Sequence, residues 1–368
     1  VTARSDEWGG RLRAVCTPYT KVDVVDGIAG ILRDARLEAG LGLAAMARRT
    51  GYSKPYPGRP ETNPGAQDSI SEDYIVRTRA RMRELLAVDA RYGGNEASKQ
   101  ALLLFRSVQR TVGVAHCPPS IEREQYSTVG ELAEVAGWFF YDADRQDTAR
   151  RFNQEALYYL RWAGDKSLEL LTLQNIAMQA EYLGRPAEAL RISRDVLARE
   201  KLPPRLRVLF LARSAHALAL RQQRGDALRA LGEAKSRYLD GPSGDEPAWA
   251  YWVDDRQMAW FEAMVWTALH DHGKAADIFH AALESSPQER VRGLYSRSAY
   301  LFASFTALRG RRDAEDLLPS LATYVAEVGS GRTASILDRA LRQVPVDEVR
   351  PSFAEGVSCL RDLLAARA

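Results

Sequence analysis

Between residues 171 and 184 the chain reads LTLQNIAMQAEYLG. Gln174 and Asn175 set two carboxamides among apolar residues, with Met178 and Glu181 following at helical spacing. A carboxamide carries donors and an acceptor, so it can pair with both the N–H and the C=O of an extended peptide. Polar or large residues stand at corresponding places elsewhere in the chain: Trp138, Arg213, His216, Gln257, Trp260 and Tyr300. As a set they describe a mixed aromatic and polar groove suited to a peptide, small-molecule or protein ligand. Singly, each aromatic reads equally well as filler between packed helices.

No catalytic set accompanies these residues. The sequence contains no P-loop, dinucleotide fingerprint or G-x-S-x-G elbow, so neither an enzyme nor a cofactor is expected. GVAHCPPS puts His116 beside Cys117, but adjacent side chains diverge and the Pro-Pro that follows suggests a linker. His270, His272 and His280 cluster in ALHDHGKAADIFH around a turn, without the H-x-x-x-H spacing or carboxylate pair of a metal site. Cys16, Cys117 and Cys359 are far apart and match neither a disulfide framework nor a zinc motif.

The elements that must position the groove residues are helices. With 368 residues, 46% hydrophobic and 27% charged, the chain has the composition of a globular protein of two or three domains. No segment approaches the roughly 18 consecutive apolar residues of a membrane helix, and the first residues lack a signal-peptide core, so the cytoplasm is the expected address. The net charge of +3 is unevenly placed: residues 1–118 carry a surplus of roughly five positive charges and the remainder roughly two negative ones. A polyanion would meet the N-terminal third.

From about residue 120 the apolar period is helical and comes in pairs of stretches separated by short polar turns, which predicts an all-α class. The second members read DTARRFNQEAL, EALRISRDVL, DALRALGEA, KAADIFHAAL and DAEDLLPSL. Aligned, they place Ala149, Ala189, Ala227, Ala275 and Ala314 in one column and Ala156, Val196, Ala234, Ala282 and Leu321 seven positions later. Positions i and i+7 share a helix face, so small residues there let a neighbouring helix approach closely.

These features resemble the tetratricopeptide repeat (TPR) superfamily, most clearly GELAEVAGWFFYDADRQDTARRFNQEAL with Gly137, Phe140, Ala149 and Ala156. The resemblance spans about 120–330 in five degenerate repeats and implies an α-solenoid whose first helices line a concave groove. The repeat spacing is widest at DGPSGDEPAWAYWVDD, a Pro/Gly loop with Trp249, Tyr251 and Trp252. Residues 331–368 read as C-terminal capping helices and 91–119 as a helical linker.

Residues 20–90 hold a second pattern. DGIAGILRDARLEAGLGLAAMARRT reads as two short helices joined around Gly40, followed by GYSKPY. Together they resemble the Cro/C1-type (xenobiotic-response-element) helix-turn-helix family, which presents its third helix to the major groove. The resemblance implies that Ser53 caps the reading helix, that Lys54, Tyr56 and Arg59 project toward double-stranded DNA, and that Arg48 and Arg49 supply backbone charge. The same residues also read as a solvated basic surface. Pro57 and Pro60 depart from the family pattern, since an interior proline removes a hydrogen bond and costs on the order of 3 kcal/mol. After the prolines, SISEDYIVRTRARMRELLAVDARYGG resumes a helix with Ser71 as its cap.

A helix-turn-helix followed by TPR-like repeats resembles a bacterial class of TPR-containing transcriptional regulators. That class implies a signal-responsive DNA-binding protein whose repeats bind a ligand and often mediate dimerisation, a homodimer being one implied assembly. The alternative is a TPR adaptor whose head no longer binds DNA and which acts through protein contacts.

Overall fold

The structure is a computed structural model that describes residues 69–285 and 290–367. The chain divides into two units between Asp68 and Ser69, and the described residues belong to the second. They form fourteen α-helices: α1 Glu72–Tyr92 and α2 Gly94–Val114; α3 Glu122–Asp142 and α4 Gln146–Ala163; α5 Lys166–Tyr182 and α6 Pro186–Arg199; α7 Pro204–Leu220 and α8 Arg224–Leu239; α9 Asp255–Ala268 and α10 His272–Glu284; α11 Val291–Ala307 and α12 Arg311–Glu327; α13 Gly331–Arg342 and α14 Pro351–Arg367. The class is all-α. Among the described residues the only β feature is an isolated bridge between Ser69 and His116.

Local chemistry explains where helices start and turn. Ser71, Asp165, Asp254 and Ser330 cap α1, α5, α9 and α13 by accepting from the backbone N–H three residues on, and Pro186 and Pro204 stand at first-turn positions where an N–H is dispensable. Each hairpin from α3/α4 to α11/α12 turns on one left-handed residue: Asp144, Gly184, Gln222, His270 and Arg309. Only one of the five is glycine, so His270 is held by a backbone turn that favours Gly or Asn. Both marker columns are buried in full, from Ala149 to Ala314 and from Ala156 to Leu321. From α1 to α12 each helix packs on the next along the chain, and α3, α5, α7 and α9 also pack in succession, as do α11 with α13 and α12 with α14.

The structure differs from the sequence reading at both ends. The stretch expected as a linker, α2, buries Ala97, Ala101, Leu104, Phe105 and Val108 in the same core as α1, α3 and α4. Helix α1, grouped by sequence with the N-terminal head, is the first helix of this body. The stretch expected as a cap does more than cover the last pair, because its helix α13 packs on α3; with α11 reaching α1, the stack closes on itself.

That closure is a built seam. Gly329 N–H donates to Tyr92 O at 2.8 Å, and Asn95 N–H donates to Gly329 O at 2.9 Å. Ser335 Oγ donates to Asp144 Oδ2 at 2.6 Å. A Cβ on Gly93 would lie 2.7 Å from Gly329 O, one on Gly94 would lie 2.5 Å from Phe139 O, and one on Gly331 would lie 2.6 Å from Ala143 O. Backbones meet here at distances that only glycine permits. Trp249, from the Pro/Gly loop, donates through Nε1 to Ser167 Oγ at 2.9 Å and wedges against Leu170, Phe210 and Ala250. The loop is therefore a plug between the α5/α6 and α7/α8 pairs.

Candidate functional site

Inner helices carry polar side chains inward, and five of the residues singled out by sequence meet in one hydrogen-bonded chain. Asn175 Nδ2 donates to Glu134 Oε1 at 2.6 Å, and Gln174 Nε2 donates to Asn175 Oδ1 at 2.6 Å. Arg213 Nε donates to Gln174 Oε1 at 3.0 Å, and its Nη1 donates to Glu181 Oε2 at 2.9 Å. His216 Nδ1 lies 2.9 Å from the same Oε2. The chain links α3, α5 and α7 across buried Glu134, Gln174, Asn175, Glu181 and Arg213.

Its direction is fixed by one residue. A guanidinium donates only, so Arg213 forces Gln174 to turn its oxygen toward it and its amide nitrogen toward Asn175. Asn175, whose oxygen is taken by Gln174, must then offer its own nitrogen to Glu134. A carboxylate accepts only, so His216 meets Glu181 with its proton on Nδ1. Burial pushes the Glu134 carboxyl from the usual 4.5 up to about 7; the bond from Asn175 opposes this and the charge of Glu131 adds to it. Glu181 Oε1 is buried without a hydrogen-bond partner among the described residues.

The amides are thus committed to one another rather than presented to a peptide, which corrects the picture of an open groove. Their neighbours form the walls. Tyr141 and Tyr182 meet edge to face with centroids 5.8 Å apart, and Trp260 meets Tyr300 edge to face at 5.2 Å. The buried Arg332 guanidinium lies 5.1 Å from the Tyr141 ring centre and also bonds Tyr300. Burial raises the Tyr141 and Tyr300 phenols above their usual range, and it raises Tyr182 to about 12, helped there by Asp144.

Trp138 stands at the seam instead. Its Nε1 donates to Asp89 Oδ2 at 3.2 Å and Arg292 covers its ring at 5.1 Å. Beside it Asp142, fully buried, accepts from Gly94 N–H at 3.0 Å and Ser330 Oγ at 2.9 Å. Arg332 and Arg292 approach Asp142 to 3.6 and 3.9 Å, and Arg292 reaches Asp89 at 3.5 Å. Burial raises Asp89, opposed by Arg292 and reinforced by Asp142.

Of the remaining expected residues, Met178 packs half-buried on the N-terminal core and Gln257 is half-buried at the start of α9. The expected DNA-contacting set, Arg48, Arg49, Ser53, Lys54, Tyr56 and Arg59, lies outside the described residues. Sequence reasoning missed Asp89, Glu134, Tyr141, Asp142, Arg292 and Arg332. Glu134 had a visible signal, a lone carboxylate inside the small-residue stretch LAEVAG.

Among the described residues no group of His, Cys, Asp and Glu could hold a metal ion, and no helix is long and apolar enough to cross a membrane. No protein-family model matches the chain, and no curated protein matches it.

Proposed function

We propose that the protein is a signal-responsive DNA-binding regulator, with the stacked helical pairs as its sensing body and the N-terminal residues up to Asp68 carrying its DNA-reading head. The observation that supports the sensing role is the buried chain Glu134–Asn175–Gln174–Arg213–Glu181–His216, which ties three inner helices together. A packed apolar axis would serve stability better than a buried ion pair, whose desolvation offsets most of its attraction. Polar groups retained at such a place serve recognition or specify a single arrangement. A ligand that competes for Arg213 or Glu181 would shift the helices that carry them, and it changes the head only as far as it binds two arrangements unequally.

The DNA-binding part rests on the resemblance of residues 26–56 to a Cro/C1-type head and on the positive surplus of the N-terminal third. A second reading, an adaptor acting through protein contacts alone, is favoured by the sequence at Pro57 and Pro60, since an interior proline removes a hydrogen bond from a helix. A salt titration separates the two. A regulator binds duplex DNA with an affinity that falls steeply as salt rises, and Lys54→Ala with Arg59→Ala weakens it. Duplex affinity unchanged by those substitutions would remove the head from the account.

A further inference from the structure

Helix α6 presents Ala187, Leu190, Arg191, Arg194 and Asp195 at the spacing i, i+3, i+4, i+7 and i+8, which is one helix face. Together with Arg221, at the C-terminal end of α7, these residues line one cleft of about 350 Å³. Leu190 is buried in the same apolar cluster as Leu218, Ala219 and Ala227, so the cleft is backed by the packing of α6, α7 and α8. The backbone that carries Arg221 is fixed by the fold. Its N–H donates to Ala217 O at 3.2 Å and Leu218 O at 3.1 Å, and the next side chain, Gln222, donates through Nε2 to Ala268 O at 2.9 Å.

The charge gathered at this cleft is one-sided. Arg191, Arg194 and Arg221 are exposed and form neither an ion pair nor a side-chain hydrogen bond among the described residues. The carboxylates of α6 are taken by other arginines, Glu188 by Arg150 at 2.7 Å and Asp195 by Arg199 at 3.7 Å. Guanidiniums collected at one place repel one another, and an anion from solution relieves that repulsion. Its class follows from the donors. Each guanidinium pairs with an oxyanion through two parallel N–H···O bonds, so the set offers more donors than one carboxylate can accept, whereas the terminal oxygens of linked phosphates match it. No aromatic ring lines the cleft, so unstacked bases of a nucleic acid would find no stacking surface there. Its volume lies at the lower end for small-ligand sites, which suits a compact anion. We propose that this cleft binds the oligophosphate group of a small molecule, with Arg191, Arg194 and Arg221 as its contacts. None of the axial residues lines the cleft, so the site is independent of the axial chain.

The test is titration calorimetry on the full chain at moderate salt, with inorganic triphosphate, a nucleoside triphosphate, citrate, a phosphoserine peptide and a single-stranded oligonucleotide as probes. Triphosphate should bind about tenfold or more tightly than citrate, and it should raise the melting temperature as its concentration rises. Arg191→Gln with Arg194→Gln, or Arg221→Gln alone, should weaken triphosphate binding about tenfold or more without moving the melting temperature of the unliganded protein, since the side chains are exposed. Arg312→Gln, a loss of charge on α12, should change neither. A nucleoside triphosphate bound as tightly as the inorganic anion would support the site with a nucleotide tail as its source, and binding of the inorganic anion alone would support it with free oligophosphate. Citrate bound as tightly as triphosphate, or a triphosphate affinity untouched by the arginine substitutions, would overturn the proposal. So would a phosphoserine peptide or oligonucleotide held more tightly than triphosphate through the same arginines.

Discussion

Replacing Glu134 by Gln tests the axial chain through its pH dependence. In the folded protein the Glu134 carboxyl titrates near 7, against 4.5 when exposed. A carboxyl raised on folding binds more protons folded than unfolded between those values, so stability is greatest below pH 4.5, declines as pH rises toward 7 and is level above it. At 1.36 kcal/mol per unit, the full decline is about 3 kcal/mol. Gln keeps the oxygen that accepts from Asn175 and removes the titration. Urea unfolding of both forms at half-unit steps from pH 4 to 9 should therefore show the variant gaining on the wild type by about 3 kcal/mol between pH 4.5 and 7. Every other ionisable group is shared, so the difference between the two curves isolates this one. A difference independent of pH would mean that Glu134 is solvated and that the hydrogen-bonded chain stops at Asn175.

Removing one member of the buried pair is costlier than removing both: Arg213→Met should destabilise by about 3–5 kcal/mol, with Glu181→Gln restoring part of it in a double-mutant cycle. At the seam, Gly331→Ala forces a Cβ against Ala143 O and should cost about 1–3 kcal/mol, read as a lower melting temperature, whereas Gly232→Ala, with open space around it, should not destabilise. Trp249→Ala removes the plug and should cost on the order of 2 kcal/mol, below the figure for a fully buried tryptophan. An unchanged melting temperature in that variant would make Trp249 a recognition residue rather than a packing one.

Much of this arrangement was legible in the sequence because it repeats. The alanine columns and polar turns recur at each hairpin, and the inward positions of α5 and α7 follow from them, which is why Gln174, Asn175, Glu181, Arg213 and His216 could be named. What those residues do to one another was not legible, since a list of polar positions does not say whether they face a ligand or each other. The seam was hidden for a different reason. The purpose of Gly93, Gly329 and Gly331 appears only when distant segments meet, Gly93 against Gly329 and Gly331 against Ala143. His270, which the sequence sets at a repeat turn, occupies the left-handed position of that turn. Helix α2 carried a clear apolar stripe, Ala97, Ala101, Leu104 and Val108, yet read as a linker because the Pro-Pro after Cys117 marked a break before the repeats.

The regulator reading is tested most directly by selection of duplex DNA. The full-length chain is incubated with a pool of genomic fragments at moderate salt, with and without the small-molecule fraction of a cell extract, and the retained fragments are sequenced. A regulator enriches fragments sharing one sequence, and the extract changes how strongly they are held. Retention of no fragment, or retention of all fragments alike regardless of the extract, would contradict it.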